Sequence, residues 1–208
     1  MLEHVPHWLG RMLQGVRAGH VRLAIADPDL GLTGVSIDLS SPAFANGARL
    51  PVRFTADGAG VSPPLLWGAV PRETRSLALI VEDPDAPSLN PLVHAVVWGL
   101  PADGCRLAEG AIAEDGAGAA DGRDVGRNSF FGQGWLPPDP PTGHGSHDYV
   151  FQLFALSDTP EPGANPGRAA IVEAIRGRVL AAGVLTGTYS RGEQAPTRAA
   201  GLGGAARA

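Results

Sequence analysis

With 208 residues, 44% of them hydrophobic and 18% charged, the chain is long enough to bury a sizeable core and too apolar to be disordered. A formal net charge of −5, with scattered arginines and no lysine, argues against nucleic acid as the main partner, because phosphate neutralisation needs clustered basic groups. One cysteine, Cys105, leaves no intramolecular disulfide and no cysteine-based zinc site, and no apolar run reaches the roughly 20 residues that span a bilayer.

Residues 2–17 carry helical periodicity, with Leu2, Val5, Leu9, Met12, Leu13 and Val16 on one face. Asp27-Pro28 and the glycines at 31 and 34 read as a linker. From residue 35 the pattern changes to strands. Ser36-Ile37-Asp38-Leu39 alternates, and residues 50–54 form another short candidate closed by Asp57-Gly58. Residues 76–81, 93–100 and 150–156 are apolar on both faces, which predicts central strands covered on each side. Residues 114–124, almost all Gly, Ala and acidic, predict a mobile loop, whereas the six prolines and glycines within 137–145 predict a stiffened one. A late helix is expected after Asn165 as N-cap and Pro166 at N1, closed by Gly183, with a last strand over 184–190. The organisation is therefore an N-terminal helix and linker (1–34), one domain (35–191) and a tail (192–208). The N-terminus lacks a basic-then-apolar leader, so the expected location is cytoplasmic.

Acidic and histidine side chains concentrate where loops meet these strands. Asp83-Pro84-Asp85-Ala86-Pro87 is a proline-stiffened turn, and its carboxylates can fix a histidine in one tautomer. His94 heads an apolar strand. The short connection before it makes strands 76–82 and 93–100 antiparallel neighbours, with Asp83 and Asp85 close to His94. His147 and Tyr149 lie two apart, so period-two geometry puts them on one face about 7 Å apart, with Asp148 opposite. Strand spacing alone does not bring this face to His94.

If the segments meet, two imidazoles and a phenol offer hydrogen bonds to an anion, while carboxylates keep the imidazoles oriented and partly charged. The ligand expected of such a set is a phosphate or carboxylate head group. Metal binding is not expected, because no H-x-H or H-x-x-x-H spacing occurs. Gly60-Val61-Ser62-Pro63-Pro64 departs from the nucleophile pattern G-x-S-x-G, and no P-loop is present. A small-molecule hydrolase or isomerase using His94 and His147 as acid and base is the alternative reading.

At these residues the chain resembles the phosphatidylethanolamine-binding protein family, most closely its bacterial Raf kinase inhibitor-like branch. The motifs are Ser62-Pro63-Pro64-Leu65-Leu66-Trp67, Asp83-Pro84-Asp85-Ala86-Pro87, His94, Pro140-Pro141 through Gly143 to His147-Asp148-Tyr149, and Leu185-Thr186-Gly187-Thr188-Tyr189. The resemblance spans residues 36–191. It implies a mainly β fold, a large central antiparallel sheet packed on a smaller one, with peripheral helices. It also implies that Asp83, His94, His147 and Tyr149 line one small anion pocket, with Asp85, Pro87, Pro141 and Gly143 around it. It implies no cofactor and no enzymatic step, and a homodimer, for which residues 2–17 offer a surface. Ala86-Pro87 is the place where a cis peptide is expected.

Overall fold

Strands that are apolar on both faces need cover on both sides, and the fold supplies it with a different layer on each. The computed structural model describes residues 12–13, 15–32, 34–113 and 124–191. In chain order the strands are β1 (Leu39–Ser40), β2 (Leu65–Trp67), β3 (Ser76–Asp83), β4 (Leu92–Pro101), β5 (Arg106–Leu107), β6 (Asp124–Val125), β7 (His147–Leu156) and β8 (Val179–Tyr189), with one helix, α1 (Arg168–Ile175), between the last two. They form a five-stranded sheet in the order β6-β4-β3-β7-β8 and a three-stranded sheet in the order β1-β2-β5. Every pairing within both sheets is antiparallel. The fold is therefore mainly β, with the smaller sheet packed on the larger.

Period-two alternation sorts the side chains of β3 and β7 between two cores. Leu77, Leu79, Val81, Tyr149, Phe151 and Leu153 face the small sheet and join Leu39, Leu65 and Trp67. Ala78, Ile80, Phe154 and Leu156 face the other way, against Ile171, Val172 and Ile175 of α1 and against Ala24 and Leu30. Those last two residues lie in the stretch read as leading into a linker. The stretch instead folds into three 3₁₀ turns, His20–Arg22, Ala24–Ala26 and Pro28–Leu30, that cover the sheet. The helix expected over 2–17 and the tail after 191 fall almost wholly outside the described residues, as does most of the 114–124 loop.

Three local expectations are corrected. Residues 50–54 do not form a strand: Val52–Phe54 is a 3₁₀ turn in which the Phe54 N–H donates to the Pro51 carbonyl at 3.0 Å. The late helix starts at Arg168, because Asn165 adopts φ 45° and Gly167 takes the cap position instead. The helix ends before Gly177, whose φ of 67° reverses the chain, so Gly183 lies inside β8. There a Cβ would meet the Ile37 carbonyl oxygen at 2.6 Å, and glycine is required by close approach of the 35–37 segment.

The face of β3 and β7 that meets α1 buries a polar cluster. Glu82 accepts hydrogen bonds from the Ala24 N–H (2.7 Å), Gln152 Nε2 (2.8 Å) and Arg168 Nε (2.6 Å), while Gln152 Oε1 accepts from the Ile25 N–H at 2.7 Å. This carboxylate ties the N-terminal turns and α1 to the sheet. Glu82→Ala leaves three donors unsatisfied, and breaking such a buried pair costs about 3–5 kcal/mol. Urea unfolding should show a loss of that order; a loss under about 1 kcal/mol would mean the cluster does not hold the layer.

Candidate functional site

β3 is the middle strand of the large sheet, so its C-terminal end has β4 on one side and β7 on the other. Asp83 sits at that end, and the starts of β4 and β7 bring His94, His147 and Tyr149 beside it. The register of β3 with β4 shifts there: Val81 faces Ala95, but Glu82 faces Val93. His94 is thus the extra residue of a β-bulge. The bulge breaks the alternation and aims His94 between the sheets, where it meets Tyr149 edge-on with ring centroids 5.0 Å apart. Leu136 pins the bulge twice. Its N–H donates to the His94 carbonyl (2.8 Å), and its carbonyl accepts from His94 Nδ1 at 2.6 Å.

The aspartates of the turn have different tasks. Asp83 Oδ2 lies 2.7 Å from His147 Nδ1, while Asp83 Oδ1 accepts the Asp85 N–H at 2.8 Å. Asp85 points away from the cavity, accepting the Asp148 N–H at 2.7 Å and pairing with Arg17. Asp148 itself faces outward to His20 Nε2 at 3.2 Å. The Gly19 N–H donates to the Pro84 carbonyl at 2.8 Å, so residues 17–19 strap the turn from outside. No cis peptide bond occurs among the described residues, and Ala86–Pro87 is trans, against expectation.

A histidine that sequence reasoning passed over completes the network. His144 Nδ1 lies 2.7 Å from His147 Nε2, and His144 Nε2 lies 2.7 Å from the Leu13 carbonyl. A carbonyl can only accept, so Nε2 of His144 carries a proton. In the chain from Leu13 through His144 and His147 to Asp83, every ring nitrogen therefore has a partner. The available signal was Gly143-His144-Gly145-Ser146-His147, two histidines three apart on a turn-rich segment.

These groups surround a small cavity of ≈ 50 Å³, lined among others by Asp83, Pro87, His94, Pro141, His147 and Tyr149. That is room for a few water-sized atoms, well under the several hundred Å³ of sites that enclose a whole organic ligand. Asp85 and Gly143 stand behind the wall, where Gly143 turns the chain with φ 84°. Leu136, Pro137, Asp139 and Pro140 extend the proline-rich side. Burial holds His94 below the ordinary histidine range, although the Asp83 charge opposes this. Burial likewise lowers His144 and raises Tyr149 well above the ordinary phenol range. The expectation of two partly charged imidazoles facing the ligand is therefore corrected. Both His147 nitrogens are engaged, and His94 is biased to its neutral form. Two buried polar atoms of cavity-lining residues, His94 Nε2 and the Tyr149 hydroxyl, have no hydrogen-bond partner among the described residues.

Two antiparallel sheets, packed face to face with a polar pocket at the end of the central strand, define the class as a two-sheet β fold. The comparisons give the family. A family model described as phosphatidylethanolamine-binding protein matches residues 40–190. The UPF0098 protein of Methanothermobacter thermautotrophicus is 40% identical over 158 residues, covering 75% of this chain and all of that relative. Among solved structures, a phosphatidylethanolamine-binding protein homologue from Chlamydia trachomatis shares 34% identity with a TM-score of 0.67, over 75% of this chain and 98% of that one. YbcL of E. coli shares 29% identity with a TM-score of 0.70, over 75% and 99% of the two chains. The chain belongs to the phosphatidylethanolamine-binding protein family.

The depressed His94 and His144 values have a definite consequence for stability. Each is neutral in the folded protein where the unfolded chain, with a value near 6.5, takes up a proton. Stability is unaffected above that value and is lost as pH falls below it, by up to about 1.4 kcal/mol per pH unit for each group. In phosphate-free buffer, His94→Gln should flatten the fall of Tm between pH 7 and 5. An unchanged slope would place the acid sensitivity elsewhere.

Proposed function

We propose that this protein is a non-enzymatic binding module that captures a small oxyanion, or the phosphate-type head group of a larger molecule, in the His94–Tyr149 cavity. One observation carries the reading: His94 Nε2 and the Tyr149 hydroxyl are buried, unpartnered and on the same ≈ 50 Å³ cavity. Native proteins pair nearly all buried polar atoms, and two exceptions side by side suit a partner from outside the chain. The cavity's size fits a head group, with any remainder of the ligand outside the proline-lined mouth. An acid–base mechanism with His94 and His147 would need a second free imidazole nitrogen at the cavity. His147 spends both of its nitrogens on Asp83 and His144.

Titration calorimetry with O-phosphorylethanolamine tests the assignment. Tyr149→Phe removes one hydrogen bond to a charged ligand, worth about 1.5–3 kcal/mol, so affinity should fall by roughly tenfold or more. Identical isotherms for the two proteins would sink the pocket. The same reading places the protein in the cytoplasm as a homodimer through residues 2–17. Truncation of residues 1–11 leaves Leu13 and Arg17 in place and should lower the sedimentation mass to that of one chain; an unchanged mass removes this interface.

A further inference from the structure

We infer that an oxyanion held in this cavity carries one hydroxyl proton, taken up on entry where the free ligand lacks it, so that the site selects a phosphate bearing an ionisable hydroxyl, as in inorganic phosphate or a monoester, over a phosphodiester. The inference rests on the binding reading above and adds to it the chemical form of the ligand.

The tautomer of His94 is set by its backbone partner. Its Nδ1 lies 2.6 Å from the Leu136 carbonyl, which can only accept, so Nδ1 carries the hydrogen. The same Leu136 holds the bulge backbone through its N–H, so the ring has no freedom to exchange this partner. A neutral imidazole has one N–H, and Nε2 therefore faces the cavity as a lone pair. The Tyr149 hydroxyl beside it can donate. The cavity thus presents one acceptor and one donor, not two donors. A fully ionised oxyanion offers only lone pairs and would set an oxygen against the Nε2 lone pair. A hydrogen phosphate group offers both kinds of partner: its P–OH donates to Nε2, and a P–O oxygen accepts from Tyr149. Equivalently, the proton sits on Nε2 and the ligand is the dianion. For a monoester, both descriptions contain one proton more than the free partners hold above pH 7, since its second pKa is about 6; inorganic phosphate keeps a P–OH at that pH and needs no further proton.

The surrounding charges set where this proton rests without changing the count. Asp83 at the end of β3 favours a proton on His94, and His147 from β7 opposes it. Asp139 and Arg191, from the proline wall and the segment after β8, act on Tyr149 in opposite directions, with Asp85 on the side of Asp139. Burial disfavours a charged ring at His94. A monoester brings an oxygen that can hold the proton itself, whereas a diester leaves it to the buried ring. That difference is the basis of the selection.

Calorimetry at pH 8 in buffers of low and high ionisation enthalpy counts protons directly. Wild type titrated with O-phosphorylethanolamine should take up about one proton per site, whereas inorganic phosphate, which at pH 8 still carries a P–OH as hydrogen phosphate, should bind with uptake near zero. Glycerophosphoethanolamine, a diester, should bind at least tenfold more weakly. His94→Gln carries a fixed amide donor and should bring the uptake to near zero. Tyr149→Phe should weaken binding while uptake stays near one. Should His94→Gln fail to fold, wild type alone suffices: Kd for O-phosphorylethanolamine should rise about tenfold per pH unit between 7 and 9. O-phosphorylethanolamine binding with no uptake and a pH-independent Kd would overturn the inference and leave the binding reading standing. Equal affinity for the diester would overturn the selection. No binding of any phosphate compound by wild type would remove the binding reading itself, and this inference with it.

Discussion

Two consecutive buried carboxylates, Glu82 and Asp83, end a strand that is buried on both faces and paired along both edges. Period-two geometry sends them to opposite sides of the sheet. A buried carboxylate without partners is very costly, so each side has to supply donors. On the α1 side, Glu82 collects a backbone N–H, an amide and a guanidinium, and the N-terminal turns and helix are fixed by it. On the other side, Asp83 takes an imidazole and the turn's own backbone, and the histidine chain follows from it. The peripheral layer and the pocket are two answers to one electrostatic demand.

The opposite wall is set by a second buried charge. Arg191, just beyond β8, reaches Asp57 through Nε and Nη2 at 2.6–3.0 Å, pairs with Asp139, and donates to the Pro140 carbonyl at 3.3 Å. The Tyr189 hydroxyl donates to the same Asp57 at 2.7 Å. These bonds clamp the 137–141 segment between the β8 end and the 55–58 turn. The prolines there lower the entropy lost on ordering, and the clamp sets their position. With Leu136 bonded twice to His94, the wall and the bulge move as one body. The cavity is preorganised before any ligand reaches it.

The long strands were legible because apolar residues on both faces leave few alternatives. Asp83-Pro84-Asp85 and the His147–Tyr149 pairing were legible because turn chemistry and period two are local. The bulge was not. Val93, Ala95 and Val96 are apolar and buried whichever way they point, so the sequence carries no mark of the extra residue that turns His94. His144 was hidden for a related reason: its partners, Leu13 and His147, are set by how the N-terminal segment crosses a glycine-rich turn. Gly183 looked like a helix stop because its real constraint, the Ile37 carbonyl, is about 146 residues away in sequence and invisible to any local pattern. Local chemistry named the site residues; only the three-dimensional contacts assigned their protons.

Those proton assignments change what the constellation is for. In the chain from Leu13 to Asp83 each nitrogen of His144 and His147 already has a partner, so this half of the acid-and-histidine set is scaffold. In the binding reading proposed above, recognition falls on the other half, His94 and Tyr149, whose unpartnered atoms are held in place by the bulge and by the core. A ligand that leaves a buried polar atom unpartnered loses about 1–3 kcal/mol, so the two atoms together set about 2–6 kcal/mol between a matched and a mismatched ligand. That difference is equivalent to roughly 30-fold to 10⁴-fold in affinity. A cavity of ≈ 50 Å³ with so few contacts available has little else from which to draw affinity. The match of donors and acceptors, more than charge or buried area, therefore governs what can be held there.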